Sequence, residues 1–294
     1  MHDTALKIGQ QFFEAYAGGQ STILELGSYN VNGSLRDVAP QGAVYVGLDA
    51  SAGASVDVVI EPHKDLPISS NSVDIVVSSS MFEHDLFFWE TFLEMVRVAK
   101  PGGILYVSAP SNGGYHCYPV DNWRFYPDCG KALEAWAHKN GHTLTLIESF
   151  VAERAGDVWN DFVAIFKKDR LTSPDGLPFL TVPSTNAWRF GQPKVERERE
   201  SSEDMVIIET SREKIATLEQ TLTEKNGETE YLKEKISSAM NEIADVRGLS
   251  ERRSSEDAVL INALRGQISQ LFEILEEKTT EIRNLRTQST ERQR

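Results

Sequence analysis

Residues 22–37, TILELGSYNVNGSLRD, set an apolar run against a turn that contains glycines, and this pattern recurs down the first half of the chain. Short apolar runs at 22–26, 44–48, 56–60, 73–78, 104–108, 143–147 and 162–166 read as strands. The first five are nearly continuous rather than alternating, as expected for strands covered on both faces. Helical spacing falls at 4–17, 87–99 and 128–139. Strand and helix in alternation predict βαβ units, an α/β fold and a doubly wound, mostly parallel seven-stranded sheet. Such sheets bind ligands beyond the carboxyl ends of their strands. The informative residues are therefore those that follow each strand.

After the first strand come Glu25, Gly27 and Ser28, and after the second comes Asp49. Glu61, Pro62 and His63 follow the third, and Ser78, Ser79 and Glu83-His84 the fourth. Gly113, Gly114 and His116 follow the fifth. An acid placed like Asp49 suits the two hydroxyls of a ribose. A dinucleotide pyrophosphate wants Gly-x-Gly-x-x-Gly opening directly into a helix. Here the turn runs Gly27 to Gly33 with Tyr29 where the second glycine would stand. Glu25 and Asp49 would also repel phosphates, whereas carboxylates suit an ammonium and a sulfonium. The turn therefore favours S-adenosylmethionine over a nicotinamide dinucleotide. The plainer reading of Glu25 is a cap or a salt-bridge partner.

ILELGSYNVNGSLRD, YVGLDASAGASVDVV, DLPISSNSVDIVVSSSMFEH and MVRVAKPGGILYVSAPS follow one another over residues 22–111. In this order they resemble the successive motifs of class I S-adenosylmethionine-dependent methyltransferases, a Rossmann-like fold. They are most similar to the bacterial subgroup whose first motif reads Gly-Ser-x-x-x-Asn-Gly, and the resemblance covers roughly residues 4–168. It implies that Glu25, Gly27 and Ser28 lie along the methionine part of the donor. Asp49 would hold the ribose, with Ala50 beside it. Either Glu61 or His63 would stand at the adenine, and Ser78 and Ser79 would line the methyl-donor channel.

The acceptor side is read from GGYHCYPVDNWRFYPDCGKAL, residues 113–133, rich in Tyr, Trp, His and Arg. Aromatic faces and planar hydrogen-bonding groups suit a sugar ring. The stretch is similar to methyltransferases found with polysaccharide-assembly enzymes. The architecture also resembles the chain-terminating enzymes of bacterial O-antigen synthesis, a methyltransferase domain followed by a long coiled coil. A hydroxyl acceptor needs a base. His84 and His116 are the candidates, with Asp121 orienting the base or the sugar. The plainer readings are a capping histidine in the Glu-His-Asp turn and an Asp121–Arg124 pair. His63, His116, Asp85 and Asp121 show no compact ligand spacing, so no metal is expected. Phe88, Phe92, Met95 and Val96 recur at helical spacing and read as core.

Composition changes sharply past the sheet. Residues 169–205 carry four prolines and a charge cluster and read as a linker. From 206 to 288, proline and tryptophan vanish. With Ile215 at a heptad a site, Leu222, Ile236 and Ile243 share its position, and Leu218, Leu232 and Val246 fall at d. Ser250, Arg253 and Asp257 interrupt the frame, a stutter, before it resumes from Ile261 to Leu285. The pattern predicts a self-associating coiled coil, a rod on the order of 100 Å. The alternative is a helical hairpin bent at Gly248.

The formal charge of −14 argues against a nucleic-acid footprint. Two cysteines, Cys117 and Cys129, and no leader-like start suggest a reducing, cytoplasmic setting. No apolar run approaches the roughly 18 residues of a membrane span, so any membrane association would be peripheral and through a partner. The expected function is O-methylation of a saccharide, lipid-linked or at a glycan end, by a homo-oligomer or with a partner enzyme. The alternatives are a catalytically weak head on a coiled-coil scaffold, or a methyltransferase of a protein, lipid or small-molecule acceptor.

Overall fold

The computed structural model describes residues 3–156, 158–192, 203–250 and 256–292. The chain divides into two compact units, residues 1–200 and 201–294. The charge cluster at the end of the expected linker lies outside the described residues, as do 251–255 of the expected stutter.

In the first unit the strands are β1 (Thr22–Leu26), β2 (Val44–Asp49), β3 (Val58–Val59), β4 (Val73–Ser79), β5 (Ala99–Pro110), β6 (Thr145–Ala152), β7 (Asp161–Lys167) and β8 (Ser184–Arg189). The helices are α1 (Asp3–Tyr16), α2 (Phe88–Val98) and α3 (Asp128–Lys139). The sheet order is β3-β2-β1-β4-β5-β7-β6-β8. Pairing is parallel from β3 through β5. It is antiparallel for β5–β7, β6–β7 and β6–β8. The expected seven-stranded, mostly parallel sheet is thus corrected to eight strands in a mixed sheet. Connection length is the reason. Only eight residues separate β6 from β7, too few for a parallel crossover.

Alternation along the strands divides the core between the two faces. Leu24, Leu26, Val76 and Leu105 pack with Phe92, Met95 and Val96 of α2 and Leu133 and Ala137 of α3. Ile23, Ile75, Val77 and Tyr106 pack on the other side with Ile8, Phe12 and Phe13 of α1. Each buried residue of this size contributes about 1.5–3 kcal/mol. Gly102 has φ +79°, and the β4–β5 register shifts between Val73 and Ile75. The Gly102-Gly103 pair is therefore a bulge inside β5.

The expected linker is partly built into this unit. Leu171, Leu177, Phe179 and Leu180 join the second cluster, and β8 adds an edge strand to β6. Glu148, fully buried on β6, holds the segment in place. Its Oε1 accepts from the Leu180 N–H at 2.8 Å, and its Oε2 lies 3.4 Å from Arg189 Nε. A sequence reading sees only prolines there. The anchoring acid lies on another strand.

The second unit is α4 (Glu203–Ser250) and α5 (Glu256–Arg292), which pack against each other. Lys278 Nζ lies 3.8 Å from Glu228 Oε2. Glu228 stands twenty-two residues before the end of α4 and Lys278 twenty-two after the start of α5, the register of an antiparallel pair. Within the chain this is the hairpin alternative. Gly248 lies inside α4 and is not the bend. Ile236 and Ile282 are buried in the pair. No described helix is long and apolar enough to cross a membrane.

Candidate active site

β1, β2 and β4 end at Leu26, Asp49 and Ser79, and beyond them opens a cleft of about 1290 Å³. Glu25, Gly27, Ser28, Asp49, Ala50, Glu61, His63 and Ser79 all form its wall. Ser78 does not. It is fully buried in the sheet, and Ser80, with φ +53°, lines the cleft beside Ser79. The channel assignment for Ser78 is corrected on that ground.

Gly27 needs the left-handed region at φ +79°, and a Cβ there would stand 2.5 Å from Met81 Cβ. Its N–H and that of Ser28 donate to the Leu48 carbonyl at 2.9 and 3.1 Å, fixing the turn against β2. Glu25 is 2% exposed, and its Oε2 has no hydrogen-bond partner among the described residues. Burial pushes its carboxyl up to about 7, with Tyr45 and Arg36 pulling the other way. The Ser28 hydroxyl is likewise buried and unpartnered. These are orphaned polar groups at the cleft, as a bound ligand would leave them. Asp49 accepts from Tyr29 N–H at 3.1 Å and from Ser51 N–H at 2.9 Å. The Tyr29 ring lies over Gly53, where a Cβ would come within 2.1 Å of it. It forms wall, not plug.

On the far side, the 80–85 turn meets the loop after β5. His63, at φ +60°, has Nδ1 3.5 Å from Asp85 Oδ1 and its ring edge-on to Phe87. Asp85 accepts from Phe87 N–H at 2.9 Å and from the Thr91 hydroxyl, which ties the turn to the first turn of α2. The Glu83 carbonyl accepts from Asn122 N–H at 2.7 Å, which brings the loop down onto the turn. His84 Nδ1 bonds the Val120 carbonyl, and its Nε2 lies 3.6 Å from Glu83 Oε1. The His84 and His116 rings are 5.1 Å apart and nearly perpendicular. Both line the cleft. Burial lowers the His84 pKa and pushes the Glu83 carboxyl up to about 8.

Asp121 is outside the wall. It receives both terminal nitrogens of Arg124, at 2.6 and 2.8 Å, and the His116 N–H at 2.8 Å. Arg124 holds its carboxyl well below the usual range. Asp121 Oδ2 also lies 3.3 Å from His116 Nδ1. The two sequence readings of Asp121, ion-pair partner and orienter of a histidine, thus coexist.

Sequence reasoning missed Tyr45, which faces Glu25 from β2, and Trp159, whose ring stands 5.0 Å from that of His116. It singled out Glu83 after the fourth strand without giving it a role, and it missed the grouping of Glu83, His84 and His116. One potential ligand atom from each of these lies within 4.8 Å of the others. His84 and His116 are thirty-two residues apart, so no spacing rule flags the trio.

Residues 24–107 match a family model described as a methyltransferase domain. An uncharacterised methyltransferase of Mycolicibacterium paratuberculosis is 35% identical over 77 residues, 26% of this chain and 30% of that protein. One of Mycobacterium bovis is 46% identical over 43 residues, 15% of this chain and 17% of that protein. The chain therefore spans less than a third of the length of these curated relatives. Among solved structures, the 1,6-didemethyltoxoflavin-N1-methyltransferase of Burkholderia thailandensis, bound to S-adenosylhomocysteine, is similar at TM-score 0.46 and 14% identity, covering 57% of this chain and 80% of that one. A SAM-dependent methyltransferase of Aquifex aeolicus gives TM-score 0.39 and 14% identity over 57% and 94%. Residues 24–107, less than a third of this chain, are thus similar to a methyltransferase domain.

Proposed function

We propose that the protein is an S-adenosylmethionine-dependent O-methyltransferase that acts on a saccharide in cell-surface polysaccharide assembly. The observation that carries the donor reading is the buried Glu25 Oε2 near the end of β1, without a hydrogen-bond partner among the described residues and next to the glycine turn. In this reading Glu25 and Ser28 hold the amino-acid end, Asp49 the ribose with Ala50 beside it, and Glu61 or His63 the adenine. When bound, S-adenosylmethionine supplies an electrophilic methyl group on a sulfonium that leaves as a neutral thioether.

His84 or His116 takes the acceptor's hydroxyl proton at a free imidazole nitrogen as the new O–C bond forms. Asp121 fixes the His116 backbone and ring, and through Arg124 the loop that carries them. Tyr115, Tyr118, Trp123 and Tyr126 are exposed on this loop and offer faces to a sugar ring. The helical hairpin serves contact with a glycan-assembly enzyme at the cytoplasmic face of the inner membrane. Exposed Phe272 and Ile274 on α5 support that reading.

Labelled methyl donor offered to extracted glycans and then to small metabolites and proteins tests the acceptor class. Label in glycans alone supports the proposal. Label only in other pools, or none from a chain that binds the donor, removes the saccharide.

A further inference from the structure

We propose that Glu83, His84 and His116 form a binding site for one divalent transition ion of the zinc type at the acceptor side of the cleft. Two imidazoles and one carboxylate offer ligand atoms within 4.8 Å of one another. Zinc bonds imidazole nitrogen and carboxylate oxygen at about 2 Å, which sets tetrahedral ligands about 3.3 Å apart. His84 Nε2 and Glu83 Oε1 already stand at 3.6 Å. Side-chain shifts of up to about 1.5 Å close the set around an ion.

Three further observations point the same way. Glu83 is 2% exposed, lines the cleft, and has an Oε2 without a hydrogen-bond partner among the described residues. A carboxylate that deep needs a cation or a donor. His84 spends Nδ1 on the Val120 carbonyl, which leaves Nε2 as the lone-pair nitrogen facing Glu83. His116 has Nδ1 3.3 Å from both the Asp121 carboxylate and the Gly114 carbonyl and 3.5 Å from Arg124 Nη2, and its Nε2 has no hydrogen bond among the described residues. Metal-bound histidines are held in this way, with the second nitrogen donating to a carbonyl or carboxylate that fixes the tautomer. Here both histidines have such a partner. Imidazole ligation favours zinc, iron, nickel or copper over magnesium, which wants oxygen. Three protein ligands leave a position open, as catalytic zinc sites do.

The ion's role rests on the methyl-transfer reading. An ion held there would offer its open position to the acceptor hydroxyl and would acidify it. With an ion bound, His84 and His116 are ligands and neither serves as base, so the ion replaces the histidine base and the proton would pass to water. The O–CH3 bond forms as the S–CH3 bond breaks, with that electron pair returning to sulfur.

The test is a calorimetric titration of Zn2+ into the full-length chain after chelator treatment, with Co2+ as spectroscopic probe. One ion per chain is expected, with Co2+ giving the strong visible absorption of a four- or five-coordinate site. His116→Ala and Glu83→Gln are expected to abolish binding with circular dichroism unchanged. Asp121→Asn should weaken it by about tenfold, and His142→Ala, beyond α3, should leave it intact. Failure to retain Zn2+, or binding that both folded site variants keep, overturns the site. S-adenosylmethionine titrated into the metal-free chain separates the two readings. A chain that takes donor but not zinc overturns the site alone. One that takes zinc but not donor upholds the site and removes the methyl-transfer reading.

Discussion

The Tyr29 backbone N–H donates to the Asp49 carboxylate across 3.1 Å, tying the glycine turn after β1 to the tip of β2. The same carboxylate accepts from Ser51 at 2.9 Å. Asp49 thus shapes the mouth of the cleft as well as facing into it. Asp49→Ala removes two charge-assisted bonds inside the protein and those proposed to the ribose, each worth about 1.5–3 kcal/mol. Donor affinity in calorimetry is expected to fall by about a hundredfold or more. Unchanged affinity would remove Asp49 from the site.

Glu25 gives a pH dependence with a defined sign. Its folded carboxyl, raised to about 7, keeps a proton that the unfolded chain has lost. Its contribution to stability is therefore whole at low pH and declines between the unfolded value near 4.3 and about 7. Ammonium binding runs the other way, because it needs the carboxylate. Donor affinity is expected to rise toward pH 7 by up to about tenfold per unit and then level off. Glu25→Gln should flatten the profile. Dissociation constants measured across that range decide it, and a wild-type profile as flat as the variant's refutes the assignment.

Arg189 is the only cation within ion-pair distance of buried Glu148 among the described residues, at 3.4 Å. Arg189→Ala leaves that acid without its counter-charge and loosens β8, at a cost of about 3 kcal/mol. Hydrogen exchange should accelerate at Leu180 and along β8, with α2 and α3 unaffected. Protection that stays the same at Leu180 would show that apolar packing alone holds the segment.

The hairpin predicts how the second unit behaves. If Glu228 and Lys278 pair within one chain, removal of residues 203–294 leaves donor binding unchanged and does not lower the number of chains per particle. Light scattering on full-length and truncated protein reads this directly. A truncated monomer beside a full-length dimer or larger assembly would restore the self-associating rod.

The sequence by itself determined the elements whose signals are local. Apolar runs marked β1, β2 and β4, with glycine turns after the first two. Periodic Phe92, Met95 and Val96 marked the buried face of α2, and the loss of proline and tryptophan marked the helical tail. Most candidate donor residues were legible too, because residues at strand ends of a wound sheet converge whatever else the chain does. Tertiary structure decided what depends on distant partners. The direction of β7 followed from a short connection, the docking of residues 171–189 from Glu148 on another strand, and the hairpin from a contact between helices. The juxtaposition of Glu83, His84 and His116 arises because the loop after β5 folds back onto the turn after β4. Periodicity carries no trace of such meetings, since a side chain's neighbours across the sheet are set by the packing of the whole domain.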